Sequence, residues 1–400
     1  MALDANEREI RDRLHAARDA MVARVAEMVA IPSGHGHREG LERLQSMIAA
    51  RLRALGAVIE MVPAEPRPAW IDPRPATDAR VATLVARRLE GRTGPRMLLC
   101  GHVDTVHDPA GSFQRLEPRG DGAMTGPGAV DMKGGIEVLL SALEALEASG
   151  AKVAWSVVIV SDEESGSFGS ARAIGQVARA HDRAFVVEPA AGEGDLVVER
   201  PGSGQFMLEA TGRAAHAGRD FARGVSAVQA LAKAVTVAGA LADAARGRIV
   251  NIGPLEGGVA TNIVPDRARA WGNLRYRDEA EGAQLGAALD ALAIGEDDAV
   301  PRVRVQRVHN RPAKPCTDAV RAMAERAQAV AADLGFRVGL ASTGGVSDAN
   351  LIQHAGPPTL DGLGVRGGNL HRQDEYFWQE SLPERAALLA ILLAREAKVS

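Results

Sequence analysis

Apolar residues recur at helical spacing through Met21, Val22, Val25, Met28 and Val29, and again through Leu41, Leu44, Met47 and Ile48, predicting two amphipathic helices early in the chain. The period then shortens. Compact apolar runs at 81–85, 97–100, 154–160 and 184–187 read as buried strands, with helical stretches at 134–147 and 170–180 between the later ones. Alternation of this kind predicts an α/β fold with a mostly parallel sheet and flanking helices. The proline-rich stretch 63–75 reads as an irregular connection.

From about Gly202 the order changes to strand (205–211), helix (225–244), strands (248–252 and 268–277), helix (281–293) and strand (303–308). That βαββαβ order is a split βαβ unit able to stand alone. Helices at 318–334 and 384–398 then resume the first style. The expected organisation is a discontinuous catalytic domain, 1–201 and 311–400, carrying an inserted domain at 202–310.

Composition narrows the chemistry. With 46% hydrophobic and 24% charged residues, the chain has the balance of an ordinary globular protein. Lys and Arg (47) nearly match Asp and Glu (51), leaving a net charge of -4, so no global field favours nucleic acid as a partner. Cys100 and Cys316 are too few for a disulfide framework. Residues 1–24 lack the apolar core of a secretion signal, and no apolar run reaches membrane-spanning length, so the expected location is cytoplasmic, with no membrane partner.

The 97–100 strand runs into Gly101-His102-Val103-Asp104, and side chains two apart on a strand share a face. A carboxylate beside an imidazole fixes it as a metal ligand. Gly126 to Gly135 is a glycine-rich turn into a helix, without the Gly-Lys-Ser/Thr ending of a phosphate loop, and it carries Asp131. Glu163-Glu164 follows the 154–160 strand, and Glu188 follows the 184–187 strand directly. Taken singly, each is an ordinary polar turn. Together they sit at the carboxyl ends of three strands, where open α/β sheets bind ligands. His371 in Gly367-Gly368-Asn369-Leu370-His371 adds a second imidazole. Histidines and carboxylates without thiolates suit zinc, cobalt or manganese.

The runs Gly101 to Val106, Gly128 to Gly135, Asp162 to Gly166 and Glu188-Pro189 resemble the di-zinc exopeptidase and deacylase family of aminoacylase, acetylornithine deacetylase, succinyl-diaminopimelate desuccinylase and bacterial carboxypeptidase G. The resemblance implies that Asp131 bridges two zinc ions, with cobalt or manganese as alternatives. It implies that His102 and Glu188 complete one site, Glu164 and His371 the other. Glu163 would be the general base and Asp104 would orient His102. In the insert, Gly212 to Gly218 resembles a lid motif whose His216 stabilises an oxyanion in the partner subunit, implying a homodimer through the lid domain. Asn262 and Arg275 resemble pocket residues, and Arg311 is a further candidate for a substrate carboxylate. Ser342 to Asn350, with Gly344 and Gly345 offering backbone donors, looks closest to the carboxypeptidase G branch.

The expected function is a zinc-dependent amide hydrolase that releases a C-terminal, glutamate-like residue from a small N-acyl or peptidyl substrate with a free carboxylate. The alternative within the family is an N-acyl-amino-acid deacylase. A non-catalytic peptide-binding scaffold is the reading from another class, and the presence of Glu163 argues against it. A cysteine hydrolase is unsupported, since Cys100 lies inside a strand.

Overall fold

The computed structural model describes residues 2–34, 36–73 and 80–399. The chain forms two compact units, one of Met1–Pro66, Thr77–Arg200 and Lys314–Ser400, the other of Arg67–Ala76 and Pro201–Ala313.

The first unit is built on a six-stranded sheet in the order Val58–Val62, Thr83–Arg88, Ala154–Val160, Arg96–His102, Arg183–Val186, Thr359–Leu360. The last four run parallel, and the first two are antiparallel neighbours at one edge. Ala154–Val160 is buried at every position, the signature of a strand covered on both faces. Helix Gly134–Ala148 is buried along most of its length and packs against helix Ser381–Glu396. Its one deeply buried acid, Glu137, is held by Arg24 Nε at 2.8 Å and Arg51 Nη1 at 2.5 Å. A charge stays in an apolar layer only when paired in this way.

The early periodicities become helices Arg18–Val29 and Arg38–Ala54, each with its apolar stripe inward. Strand Val58–Val62 was not anticipated. It is mostly exposed, and Glu60 interrupts its apolar residues.

The second unit has a four-stranded antiparallel sheet in the order Ile249–Gly257, Arg267–Tyr276, Gly202–Thr211, Arg302–Arg311, with helices Ala227–Gly239 and Glu279–Asp290. Phe206, Leu208, Leu231, Ala270, Leu274 and Leu289 form its core. Two placements differ from the sequence expectation. Arg311, expected just past the insert, closes the last strand of this unit opposite Ser203, because that strand continues past Val308 through a register shift. Trp70, expected in the other domain, belongs here as well, its carbonyl accepting the Trp271 indole N–H at 2.6 Å. Among the described residues, no helix is long and apolar enough to cross a membrane.

Candidate active site

Three parallel strands deliver polar groups at their carboxyl ends. His102 closes its strand, Glu163 and Glu164 follow Val160, and Glu188 stands two residues past Val186. Asp131 comes from the turn before helix Gly134–Ala148, whose start lies close against the Glu188 segment. A Cβ on Gly135 would stand 2.1 Å from the Val187 carbonyl oxygen, so only glycine permits that approach. At the head of the turn, Gly128 adopts φ +68°, which a residue with a side chain rarely does.

Asp131 is the hub. Its Oδ1 lies 3.1 Å from His102 Nε2 and its Oδ2 lies 3.4 Å from His371 Nε2. His371 Nε2 is also 3.3 Å from Glu164 Oε2, and His102 Nε2 is 3.8 Å from Glu188 Oε1. His371 sits in a loop with φ +64°, a left-handed conformation that costs a non-glycine residue about 1 kcal/mol or more and often marks functional sites.

Burial drives the Asp131 carboxyl up, but bonds to His102 and His371 outweigh it and hold it far below the usual range. Glu188 goes the other way, raised by burial and by the charge of Asp131. Burial likewise raises Glu164, against the bond from His371. Hydrogen bonds to Asp131 and Glu164 lift the His371 imidazole to about 10. These shifts have a common origin. Carboxylates are packed here at a density that calls for positive charge among them.

One atom each from His102, Asp131 and Glu164 lie within 4.8 Å of one another. Glu164 Oε1 is buried and, among the described residues, has no hydrogen-bond partner. Converging nitrogen and oxygen donors, no thiolate and an orphaned carboxylate oxygen together fit a divalent metal ion.

Asp104 stands beside His102 as expected and makes further contacts. Its backbone carbonyl is the nearer neighbour of His102 Nδ1, at 2.9 Å, with the carboxylate at 3.5 Å. The carboxylate accepts the backbone N–H groups of Glu163 at 3.2 Å and Glu164 at 2.9 Å. Asp104 therefore sets both the imidazole and the turn that presents the two glutamates.

The remaining candidates fall into three groups. Gly344 and Gly345 lie in an exposed loop of the first unit, where buried Arg200 donates to the Thr343 hydroxyl and the Gly345 carbonyl, each at 3.2 Å. Arg200 was not singled out from the sequence; it is anchored on Asp361 at 2.7 Å. In the second unit, His216 and Asn262 come together. Ala215–His216 pairs with Ile263–Val264, and the Asn262 carbonyl accepts the Ala217 N–H at 2.9 Å. Arg275 and Arg311 flank Ser203 from the two strands beside it, with Arg275 donating to the Ser203 hydroxyl. Burial, and then the charge of Arg311, lowers the Arg275 pKa.

A mostly parallel sheet whose strand ends gather imidazoles and carboxylates around one aspartate defines a metal-dependent hydrolase. The chain belongs to Peptidase family M20/M25/M40, whose profile matches residues 98–395. It is 27% identical to carboxypeptidase G2 of Pseudomonas sp. (strain RS-16), over 94% of this chain and 88% of that protein. It is 30% identical to the succinyl-diaminopimelate desuccinylase of Methylobacterium nodulans, over 86% of this chain and 91% of that protein. Among solved structures, it matches a dinuclear metal binding peptidase of the M20 family from Bacillus subtilis with a TM-score of 0.64 at 14% identity, covering 96% of this chain and 99% of the other.

Proposed function

We propose that the chain is a zinc-dependent exopeptidase of the carboxypeptidase G type, releasing a C-terminal, glutamate-like amino acid from a small N-acyl or peptidyl substrate. The observation that supports the metal chemistry of this reading is Asp131, whose two oxygens face two different imidazoles, each backed by its own glutamate. Asp131 would be shared by two ions, one completed by His102 and Glu188, the other by Glu164 and His371. When bound, such ions polarise the scissile carbonyl and lower the pKa of a water. The similarity to carboxypeptidase G2 supports the leading substrate class, and the similarity to a desuccinylase supports the alternative, an N-acyl-amino-acid deacylase.

Glu163 is the proton carrier. It takes a proton from the attacking water and returns it to the leaving amine, and Asp104 fixes its position through the Glu163 N–H. Arg275 and Arg311 recognise the free carboxylate, since two guanidinium groups beside one serine form an anion site. Arg275→Ala is expected to raise KM for carboxylate-bearing substrates with a much smaller change in kcat, which initial-rate kinetics measures.

His216 donates to the oxyanion. Its Nδ1 accepts the Gly218 and Arg219 N–H groups at 3.1 and 3.2 Å, which leaves the proton on Nε2, the atom free to donate. His216→Ala is expected to lower kcat about 10²–10³-fold, the usual loss for an oxyanion donor.

The donor comes from a second copy of the chain. The second unit exposes Phe221 (67%), Val237 (52%) and Ile294 (48%), and its sheet ends in an edge strand, Ile249–Gly257, with Leu255 55% exposed. Apolar surface and an open edge of this kind mark an association face. Mixing His216→Ala with Glu163→Gln protein should then restore turnover that neither variant has alone. A mixture that stays inactive after subunit exchange would count against a donor acting between subunits.

The substrate class is tested with zinc-loaded enzyme on matched panels of C-terminal glutamate amides and N-acyl amino acids. Higher kcat/KM on the glutamate amides supports the carboxypeptidase reading. A clear preference for N-acyl amino acids moves the assignment to the deacylase.

A further inference from the structure

The turn that presents Asp131 is held by a residue outside the ligand set. Glu375 is almost wholly buried, and its carboxylate is ringed by nitrogen groups. Oε1 accepts the Val130 N–H at 2.9 Å and the Asp131 N–H at 3.0 Å. Oε2 accepts the Gly128 N–H at 3.3 Å and lies 2.7 Å from His107 Nε2. Its backbone carbonyl accepts the Gly126 N–H at 3.2 Å. Four bonds use the full acceptor capacity of one carboxylate. Three of these, with the backbone carbonyl bond, reach along the turn from Gly126 to Asp131.

Glu375 also closes the loop that carries His371. That loop connects Gly367–Gly368 to Tyr376–Trp378, two short strands that pair with each other. Inside it, Asp374 takes bonds from Asn369 Nδ2 at 2.8 Å and Arg372 Nε at 2.9 Å, and the Glu375 N–H reaches the Arg372 carbonyl at 3.1 Å. The His371 loop is thus tied internally and pinned at its root. Through Glu375 that root grips the backbone of Asp131, whose Oδ2 faces His371. His107 braces the carboxylate from the far side and is itself packed edge-on against Phe113 at 5.1 Å.

We propose that Glu375, braced by His107, is a positioning residue that sets the spacing of Asp131 from His371, and so the affinity for the ion shared by Asp131, Glu164 and His371. The proposal rests on the two-ion reading above. The other ion would share Asp131 but take its remaining ligands, His102 and Glu188, from strand ends that Glu375 does not touch, whereas Glu375 closes the loop that carries His371. The larger effect is therefore expected on the His371 side.

The test is titration of cobalt(II) chloride into metal-free wild type, Glu375→Gln, His107→Ala and His371→Ala, followed by calorimetry and chelator competition, with far-UV circular dichroism as the check on folding. Glutamine keeps the length but turns an amide donor towards backbone donors. In Glu375→Gln one of the two binding steps should weaken about 10–100-fold, the range for losing a partner that orients a metal ligand, while the other stays within about threefold. The weakened step should be the one His371→Ala also weakens. Combining the two substitutions should cost less than the sum of their separate effects, because both act on one unit. His107→Ala should show a smaller loss in the same step, and it decides the matter if Glu375→Gln does not fold.

A purely structural Glu375 would lower the melting temperature of the metal-free protein and leave both binding steps alike. Folded variants with two unchanged steps, or equal losses in both, overturn the proposal. Wild type binding a single cobalt ion overturns instead the two-ion reading on which it rests.

Discussion

Glu163→Gln is expected to lower kcat about 10²–10⁴-fold, the usual contribution of a positioned general base, with KM and bound metal close to wild type. Glutamine has the same length, so packing around residue 163 changes little. The bond that places the residue is made by its backbone N–H to Asp104, and substitution leaves that bond intact. The neighbouring ligand candidate, Glu164, keeps its own backbone bond to the same carboxylate. What is lost is the ability to take up and return a proton. Steady-state kinetics on the best substrate, with metal content measured on the same sample, separates this from a loss of metal. A variant that keeps its metal and turns over at the wild-type rate would remove Glu163 from the reaction.

The second large effect is expected at Asp131. Asp131→Ala should abolish detectable turnover and weaken binding of both ions, by more than the 10–100-fold typical of losing an outer partner. The reason is geometric. Oδ1 serves the His102 side and Oδ2 the His371 side, so one truncation takes an acceptor from both halves. Zinc added to the metal-free wild type should raise its melting temperature, because a ligand that binds the folded state stabilises it. That increment should largely vanish in Asp131→Ala. Undiminished binding of two zinc ions by Asp131→Ala would rule out a shared carboxylate.

Much of the centre was legible because strand ends are easy to see in sequence. Fully apolar runs such as Ala154–Val160 announce a buried strand, and a charged residue directly after one has few places to go. The βαββαβ order of the insert was legible for the same reason, since its strands and helices alternate cleanly. Boundaries were less so. Apolar alternation fades at Val308, but hydrogen bonding carries the strand on to Arg311, through a register shift that no periodicity reveals.

The residues that escaped sequence reasoning act on the backbone of distant turns. Asp104 was read through its neighbour His102, and its carboxylate also holds a turn some sixty residues later. Glu375 stands beside Asp374 in a polar loop, where adjacent acids usually face water. Only the folded chain shows that one of them reaches Gly128, Val130 and Asp131. Arg200 lacks any local motif, and its partners Thr343, Gly345 and Asp361 lie far along the sequence.

The discontinuity of the first unit has a consequence for biosynthesis. His102, Asp131, Glu164 and Glu188 are translated before Pro201–Ala313, whereas His371 follows it. A nascent chain can therefore gather most of the cluster early, but its hub lacks the second imidazole until the whole intervening unit has been translated. Completion of the cluster is in this way deferred until the insert has been made, and a truncated product that ends within the insert lacks His371.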